Sequence, residues 1–329
     1  MLTCLKEKKI LITGGTGSLG QALTKRLLEN DVDTIRIFSR NEEKQIKMQS
    51  NFSDKRLRFF IGDVRDKDRL TRALEDIDIV FHAAALKHVP VIEYNPFEAI
   101  KTNVIGSQNI IDACLEENVE KAICVGTDKA VSPLNTYGAT KLLMEKLFVS
   151  ADNYLNKNKH KTKFIALRYG NVLGSSGSVV PFFINKIRAK EQITITDDRM
   201  TRFSITMDEA LDFILESVEI GQGSDIFIPK LKAYSLTELK DAIFELYGET
   251  QESTKGIRPG EKLHETLINF DEVRNTIDIG NKFVILKPDS KNSYENSKTV
   301  DLEKGYSSDV TEKLSKDELK KLISDNIRI

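Results

Sequence analysis

An α/β fold, a Rossmann-like doubly wound parallel sheet with a smaller C-terminal substrate-binding domain, is predicted by three features of the chain. The first 170 residues alternate short β-branched runs with longer amphipathic stretches, the pattern of a parallel sheet covered by helices on both faces. The first such run leads into a turn with glycines at Gly14, Gly17 and Gly20 and then into a helix. Beyond residue 170 the alternation weakens, as expected of a lobe built from insertions that folds over the carboxyl ends of the strands.

Taken in order, strands are expected at Lys9–Thr13, Thr34–Ser39, 57–62, 78–83, 121–126 and 164–168, with helices between them at 19–29, 42–49, Lys67–Leu74, 97–117 and 137–152. In 97–117, apolar Ile100, Val104, Ile111 and Leu115 recur at helical spacing and are expected to bury one face. The chain divides into a dinucleotide-binding domain over 1–170, a mainly substrate-binding region over 171–284, and a polar tail over 285–329. The middle region holds a Gly/Ser stretch at 174–178, an apolar run at 179–187 and an isolated strand at Asp225–Pro229 expected to return to the sheet. The tail is expected to dock an amphipathic helix over 315–323 through a loose connection.

Composition narrows the function classes. Lysine and arginine total 49 against 50 for aspartate and glutamate, so no overall positive field exists to hold nucleic acid or an anionic membrane, and any anion site must be local. Cys4, Cys114 and Cys124 form neither an even disulfide set nor a CxxC pair; they read as structural and fit a reducing compartment. No apolar run approaches the length of a membrane span and no leader is evident, so a cytoplasmic protein is expected. His82, His88, His160 and His264 lack the mutual spacing of a metal set, so no metal is expected, and His82 and His88 read as packing or loop residues.

The glycine turn, Gly14 to Gly20 with Thr16, Ser18 and Leu19 inside it, lets backbone N–H groups approach a pyrophosphate whose charge the following helix N-terminus stabilises. A site selective for NAD usually ends its second strand with an acid for the ribose hydroxyls. Here Ser39, Arg40 and Lys44 stand instead, a hydroxyl, a guanidinium and an ammonium suited to a 2′-phosphate, so NADP is the expected cofactor. Asp63 and Val64 at the end of the third strand are placed to meet the adenine, and the small Ala83, Ala84 and Ala85 let the cofactor lie close to the backbone. Lys101 and Thr102, early in the 97–117 stretch, complete the expected cofactor set.

Tyr137 and Lys141 have the YxxxK spacing, one helical turn apart on one face. A lysine cation beside a phenol favours the phenolate, so Tyr137 is expected to take a sugar hydroxyl proton as hydride leaves for nicotinamide. Thr127, Asp128 and Lys129 follow the fifth strand at the edge where open α/β sheets bind ligands. Thr127 suits orientation of the hydroxyl being oxidised. Once carbon 4 is a ketone the carbon 5 proton is acidic, and Lys129 as base with Asp128 as acid can eliminate the carbon 6 hydroxyl as water, provided their surroundings favour the neutral forms. An ordinary epimerase needs neither.

These residues, with HAAALKHVP at 82–90, RYGNVLGSSGSVVPFF at 168–183, RMTRF at 199–203 and RPGEKLHE at 258–265, resemble the extended short-chain dehydrogenase/reductases, and among them the configuration-inverting UDP-N-acetylglucosamine 4,6-dehydratases. The resemblance runs from about residue 8 to about residue 270. It implies hydride transfer from carbon 4 to NADP, loss of water across carbons 5 and 6, and hydride return to carbon 6, giving a 4-keto-6-deoxy sugar of the L-arabino configuration. Relatives of the retaining type usually carry Glu where Lys129 stands, which points to inversion at carbon 5. The resemblance also assigns Lys87, Asn171 and Val179 to substrate and Arg258 to the UDP diphosphate, with Arg202 and Glu261 as helpers. Two departures fall near the expected cleft: Ser176, where many relatives carry Arg, and Ser204, where Trp is usual. A role in a surface or flagellar sugar such as pseudaminic acid is implied by the resemblance alone, as is assembly to at least a dimer through 97–117 and 137–152. The competing readings are a UDP-sugar 4-epimerase, a retaining dehydratase, and a non-catalytic dinucleotide-binding regulator that need not keep Tyr137, Lys141, Asp128 and Lys129 together.

Overall fold

The computed structural model describes residues 2–153, 155–156, 158–175, 178–288 and 292–327; Ser176 lies outside them. The first half runs β1 (Lys9–Thr13), α1 (Ser18–Leu28), β2 (Thr34–Ser39), α2 (Glu42–Phe52), β3 (Leu57–Ile61), α3 (Lys67–Leu74), β4 (Ile79–His82), α4 (Val89–Tyr94), α5 (Pro96–Ala99), a π-helical segment (Ile100–Ile105), α6 (Gly106–Glu116), β5 (Lys121–Val125), a 3₁₀ turn (Asp128–Ala130), α7 (Thr136–Ser150) and β6 (Lys163–Leu167). Then follow β7 (Asn171–Val172), α8 (Val179–Arg188), β8 (Ile193–Ile195), β9 (Thr201–Ile205), α9 (Met207–Ile220), β10 (Asp225–Pro229), β11 (Ala233–Ser235), α10 (Leu236–Tyr247), β12 (Glu252–Thr254), β13 (Thr266–Ile268), α11 (Phe270–Val273), β14 (Thr276–Asp278), β15 (Lys282–Ile285), β16 (Lys298–Thr299), β17 (Tyr306–Ser307) and α12 (Lys316–Asn326).

The main sheet has the order β16-β14-β15-β10-β6-β5-β4-β1-β2-β3. Its strands are parallel from β3 through β10 and antiparallel beyond, where β15 pairs with β10 and β14 with β15. The expected doubly wound sheet is present, and Asp225–Pro229 returns to it beside β6. Burial on both faces explains why the strands read as continuous apolar runs. Leu11, Val80, Ala122 and Cys124 face a core with α3, α6 and α7, while Ile10, Ile12, Phe81 and Ile123 face a second core with α1 and α9. Order reverses where β1 runs to β2 on one side and β4 on the other, which opens a crevice at the carboxyl ends of those strands.

Two expectations need correction, and one feature was not anticipated. The 97–117 helix is interrupted by the π-helical segment, which rotates the buried face so that Thr102, Asn103 and Ser107 turn inward while Ile100 and Ile105 are exposed. The antiparallel strands β14 and β15 had no expectation attached to them; they are short, and their alternation is too brief to read. The tail is tied rather than loose: β17 pairs with β13, Ala233 bridges to Lys313, and α12 buries Leu319 and Ile323 in a third core that includes Ile184, Leu239 and Ile243. Among the described residues no helix is long and apolar enough to cross a membrane.

Candidate active site

The carboxyl ends of β5 and β6 bring together Thr127, Asp128, Lys129, Tyr137 and Asn171. Helix α7 starts beside them because Asn135 caps it, its side-chain oxygen accepting from Gly138 N–H at 2.8 Å. The same amide donates to Gly260 O at 2.7 Å, joining α7 to the 258–265 loop. Thr127 Oγ1 donates to Asp128 Oδ1 at 2.8 Å and is in hydrogen-bond contact with Tyr137. Burial pushes the Tyr137 phenol above its ordinary range, against the pull of the Lys129 cation and Thr127.

Two expectations about protonation are overturned here. The cation acting on the phenol is Lys129; Lys141 is fully enclosed, donates to Val125 O at 2.7 Å, and is lowered by burial to about 8. Lys129 itself is not held neutral. Its Nζ lies 3.0 Å from Asp128 Oδ1, 3.0 Å from Asn171 Oδ1 and 3.6 Å from Glu265 Oε1. Burial draws its pKa down, but the two carboxylates more than offset this and hold the ammonium form. Its side chain is still 26% exposed, so Nζ has a path to the cleft, whereas Asp128 is fully buried with Oδ2 lacking a hydrogen-bond partner among the described residues.

Glu265 and Tyr234 were not singled out from sequence. Glu265 is 3% exposed on the approach to β13, and Tyr234 of β11 is buried in hydrogen-bond contact with Asn171. The signal for Glu265 lay in RPGEKLHE, where it read as one charge in a mixed loop; only the fold shows it facing Lys129. Ser204, the departure from Trp, lies opposite Asn171 in the β7–β9 pairing and donates to Asn171 O at 3.3 Å.

At the other end of the crevice, Gly14 has φ +67° and an added Cβ would stand 2.9 Å from Ala84 Cα, so the turn packs directly on the 83–85 backbone. A Cβ at Gly20 would meet Gly15 Cα at 2.5 Å. Helix α1 begins with Ser18 and Leu19, has no side-chain cap and no acid in its first turn, and so presents N–H groups and a positive dipole end to an anion. Thr16 is buried and its carbonyl accepts from Gln21. A buried relay holds the wall: Ala84 N–H donates to Thr13 Oγ1 (3.3 Å), which is 2.8 Å from His82 Nδ1; His82 Nε2 is 3.0 Å from Ser107 Oγ, which donates to Asn103 O. Desolvation, with a push from Lys141, lowers His82 to about 3, so it stays neutral and structural. Asn103 clamps Leu86 N–H and carbonyl and donates to Thr140.

The expected nucleotide-reading residues are partly committed elsewhere. Ser39 Oγ accepts from Gln45 at 3.0 Å, Lys44 is exposed, and Arg40 lies 3.6 Å from Asp63. Asp63 is held below the usual carboxylate range: burial raises it, and Arg65 with Arg40 outweigh that. Lys101 pairs with Glu98 at 2.9 Å, which in turn meets Arg65, so this corner is one surface ion network; Thr102 and Val64 are buried behind it. Arg202 is not open to a ligand as expected. Its guanidinium donates to the carbonyls of Thr201, Lys262 and Leu263 and lies 3.7 Å from Glu261, pinning the 258–265 loop. Arg258 is exposed, and its guanidinium makes no ion pair among the described residues; Glu261 Oε2 accepts from its N–H at 3.4 Å. Lys87 is exposed before α4, and Val179 opens α8 half-buried.

Residues 10–287 match the profile of a family described as polysaccharide biosynthesis protein. The chain is 51% identical to the inverting UDP-N-acetylglucosamine 4,6-dehydratase of Campylobacter jejuni over 84% of its length and 82% of the relative's. It is also 40% identical to a UDP-glucose 4-epimerase of Rickettsia felis, over 96% of this chain and 95% of that one. The X-ray structure of Pen from Bacillus thuringiensis superposes with a TM-score of 0.92 at 40% identity, covering 98% of each chain.

Proposed function

This chain belongs to the polysaccharide biosynthesis protein family and folds as an extended short-chain dehydrogenase/reductase, and from that premise we propose that it is a UDP-N-acetylglucosamine 4,6-dehydratase that inverts carbon 5. The observation that carries this reading is Lys129: a lysine side chain with access to the cleft, 3.0 Å from a buried carboxylate and beside the Thr127–Tyr137 pair. A hydride shuttle alone needs no such second acid and base. The inverting dehydratase of Campylobacter jejuni, half identical over most of the chain, supports the same choice.

The glycine turn, the uncapped α1 and the 83–85 wall fit a dinucleotide, and the bound nicotinamide supplies a hydride acceptor and donor. Tyr137 takes the proton of the carbon 4 hydroxyl, which Thr127 orients. Lys129, once it is the neutral amine, takes the carbon 5 proton, and Asp128, which has received the carbon 4 hydroxyl proton through Tyr137 and the Thr127 hydroxyl, delivers it to the departing carbon 6 oxygen, so that one water leaves. Lys87, Asn171 and Val179 line the sugar, while Arg258, exposed and without an ion-pair partner among the described residues, receives the diphosphate. Arg40, Ser39 and Lys44 at the end of β2 support NADP, with Arg40 turning from Asp63 to a 2′-phosphate. Residues 1–170 serve the cofactor and 171–284 chiefly the sugar nucleotide. We read the protein as cytoplasmic, working in surface or flagellar sugar synthesis of the pseudaminic acid kind. It is also read as self-associating through 97–117 and 137–152, where Phe97, Ile105 and Leu143 are exposed.

Incubating the purified protein with UDP-N-acetylglucosamine in heavy water, followed by mass spectrometry and proton NMR, tests the reading. Loss of one water with deuterium at an inverted carbon 5 is expected. The 40% identity to a UDP-glucose 4-epimerase favours a second reading, carbon 4 epimerisation; an isomer of unchanged mass would establish it instead.

A further inference from the structure

Glu265 has no part in the steps above, yet its placement is too costly to be incidental. It is 3% exposed, and its Oε2 is buried without a hydrogen-bond partner among the described residues, an expensive arrangement for a carboxylate. Its backbone is fixed on both sides by Ser308: Glu265 N–H donates to Ser308 Oγ at 2.9 Å, and Ser308 N–H donates to Glu265 O at 2.8 Å. The side chain so aimed reaches Lys129 Nζ at 3.6 Å, Arg202 Nε at 3.8 Å and Lys262 Nζ at 3.8 Å. Asp128 Oδ1 lies 3.0 Å from the same Lys129 Nζ. The charged and titratable groups around this pocket are therefore Asp128 from the 3₁₀ turn, Tyr137 from α7, Arg202 from β9, Tyr234 from β11, and Lys262 and Glu265 from the loop before β13.

An ammonium cannot accept a proton, and Lys129 between two carboxylates is an ammonium. Resting on the dehydratase reading, we propose that Glu265 is a positioning residue that takes over the Lys129 ammonium proton, leaving the neutral amine that removes the carbon 5 proton. The balance is closed: one N–H bond breaks and one O–H bond forms, Lys129 goes from cation to amine, Glu265 from carboxylate to carboxylic acid, and no electrons change hands. Oε1, 3.6 Å from Lys129 Nζ, is the oxygen placed to receive the proton, while the buried Oε2 has no hydrogen-bond partner among the described residues and faces Lys262 at 3.8 Å. Desolvation already favours the protonated carboxyl, against the pull of Lys129, Arg202 and Lys262. Asp128 is then left to serve the carbon 6 oxygen, so the two carboxylates divide two jobs that one could not do together.

The full-length holoenzyme is compared with E265Q and E265D, measuring kcat and KM for UDP-N-acetylglucosamine across pH, carbon 5 deuterium exchange, and reduction of the bound nicotinamide in a single turnover. Wild type must first eliminate water; if it does not, the dehydratase reading fails before any variant is made, and this assignment with it. E265Q should lose on the order of 100-fold in kcat and in carbon 5 exchange with KM little changed, while nicotinamide reduction persists. Its kcat should also climb about tenfold per pH unit on the alkaline side, where solvent removes the Lys129 proton instead. E265D, which keeps the carboxyl, should recover part of the neutral-pH rate even if E265Q proves unstable. A kcat for E265Q within about threefold of wild type, an unchanged pH profile, or loss of nicotinamide reduction in step with carbon 5 exchange would overturn the proposal.

Discussion

Arg168 offers the sharpest test of how the site is held. It follows β6 with no solvent exposure, and all five guanidinium N–H groups are spent: Nε and Nη2 on Glu145 at 2.6 Å each, Nη1 and Nη2 on Glu272 at 2.8 and 2.7 Å, and Nη1 on Leu267 O at 3.0 Å. Glu145 belongs to α7, which carries Tyr137 and Lys141; Leu267 lies two residues past Glu265; Arg168 itself lies three residues before Asn171. One side chain thus ties together the elements that carry the phenol, Asn171 and the buried carboxylate. Lysine in its place keeps the charge but at most three donors, so R168K gives up two charge-assisted bonds, about 3 kcal/mol at roughly 1.5 kcal/mol each. R168M leaves two carboxylates without their cation and should cost about 3–5 kcal/mol. In urea, followed by far-ultraviolet circular dichroism at neutral pH, a loss of 3 kcal/mol moves the midpoint down by about 1 M for a slope near 3 kcal/mol/M. The difference should shrink in acid. Burial raises Glu272, but Arg168 outweighs it and holds the carboxyl below its ordinary 4.5, so the stabilisation is full above that value and fades as pH falls through the lowered one. An R168K midpoint indistinguishable from wild type would show that the network is not a stabilising tie.

Three further outcomes are expected. G14A places a Cβ 2.9 Å from Ala84 at a φ of +67°, so dinucleotide affinity measured by titration calorimetry should fall at least about tenfold, and the urea midpoint should fall as the turn is strained; unchanged affinity would place the cofactor elsewhere. Y137F should lower turnover about 100- to 10,000-fold by removing the group that takes the hydroxyl proton, with sugar nucleotide binding retained in the same calorimeter. Lys141 is lowered by burial to about 8 from 10.5, so the unfolded chain binds its proton more tightly than the folded one. Stability should therefore rise by about 3 kcal/mol as pH climbs from 8 to 10.5, and K141M should lose that rise; parallel urea curves for both proteins across the range would refute the burial.

Much of this was readable from the chain because the signals are local. The βα turn needs Gly14 where backbone meets backbone, YxxxK needs only one helical turn, and Asp128 and Lys129 are neighbours at the end of a strand whose apolar run announces it. Each depends on spacing within a few residues, which sequence preserves. Protonation is different. The lysine that acts on Tyr137 is Lys129 rather than its helical neighbour Lys141, because the α7 geometry sends Lys141 inward to Val125 O while the 3₁₀ turn carries Lys129 back over the phenol. Spacing puts Tyr137 and Lys141 one helical turn apart, but the cation that acts on the phenol comes from another element.

The same distinction explains Arg202 and Glu265. In sequence both are charges in mixed stretches, and nothing local separates a cation that reaches out to a diphosphate from one that turns back onto carbonyls. The outcome depends on how closely the 258–265 loop approaches β9. That approach is set by Asn135 capping α7 and gripping Gly260, and by Ser308 gripping Glu265 from the tail. Arg202 then finds three carbonyl oxygens at 2.8–3.0 Å and is consumed by them. Glu265 is carried inward past it to the one ammonium that needs a proton acceptor. A carboxylate becomes chemically interesting here through what has been removed from around it, water and one hydrogen-bond partner, and a removal of that kind leaves no mark in the order of the residues.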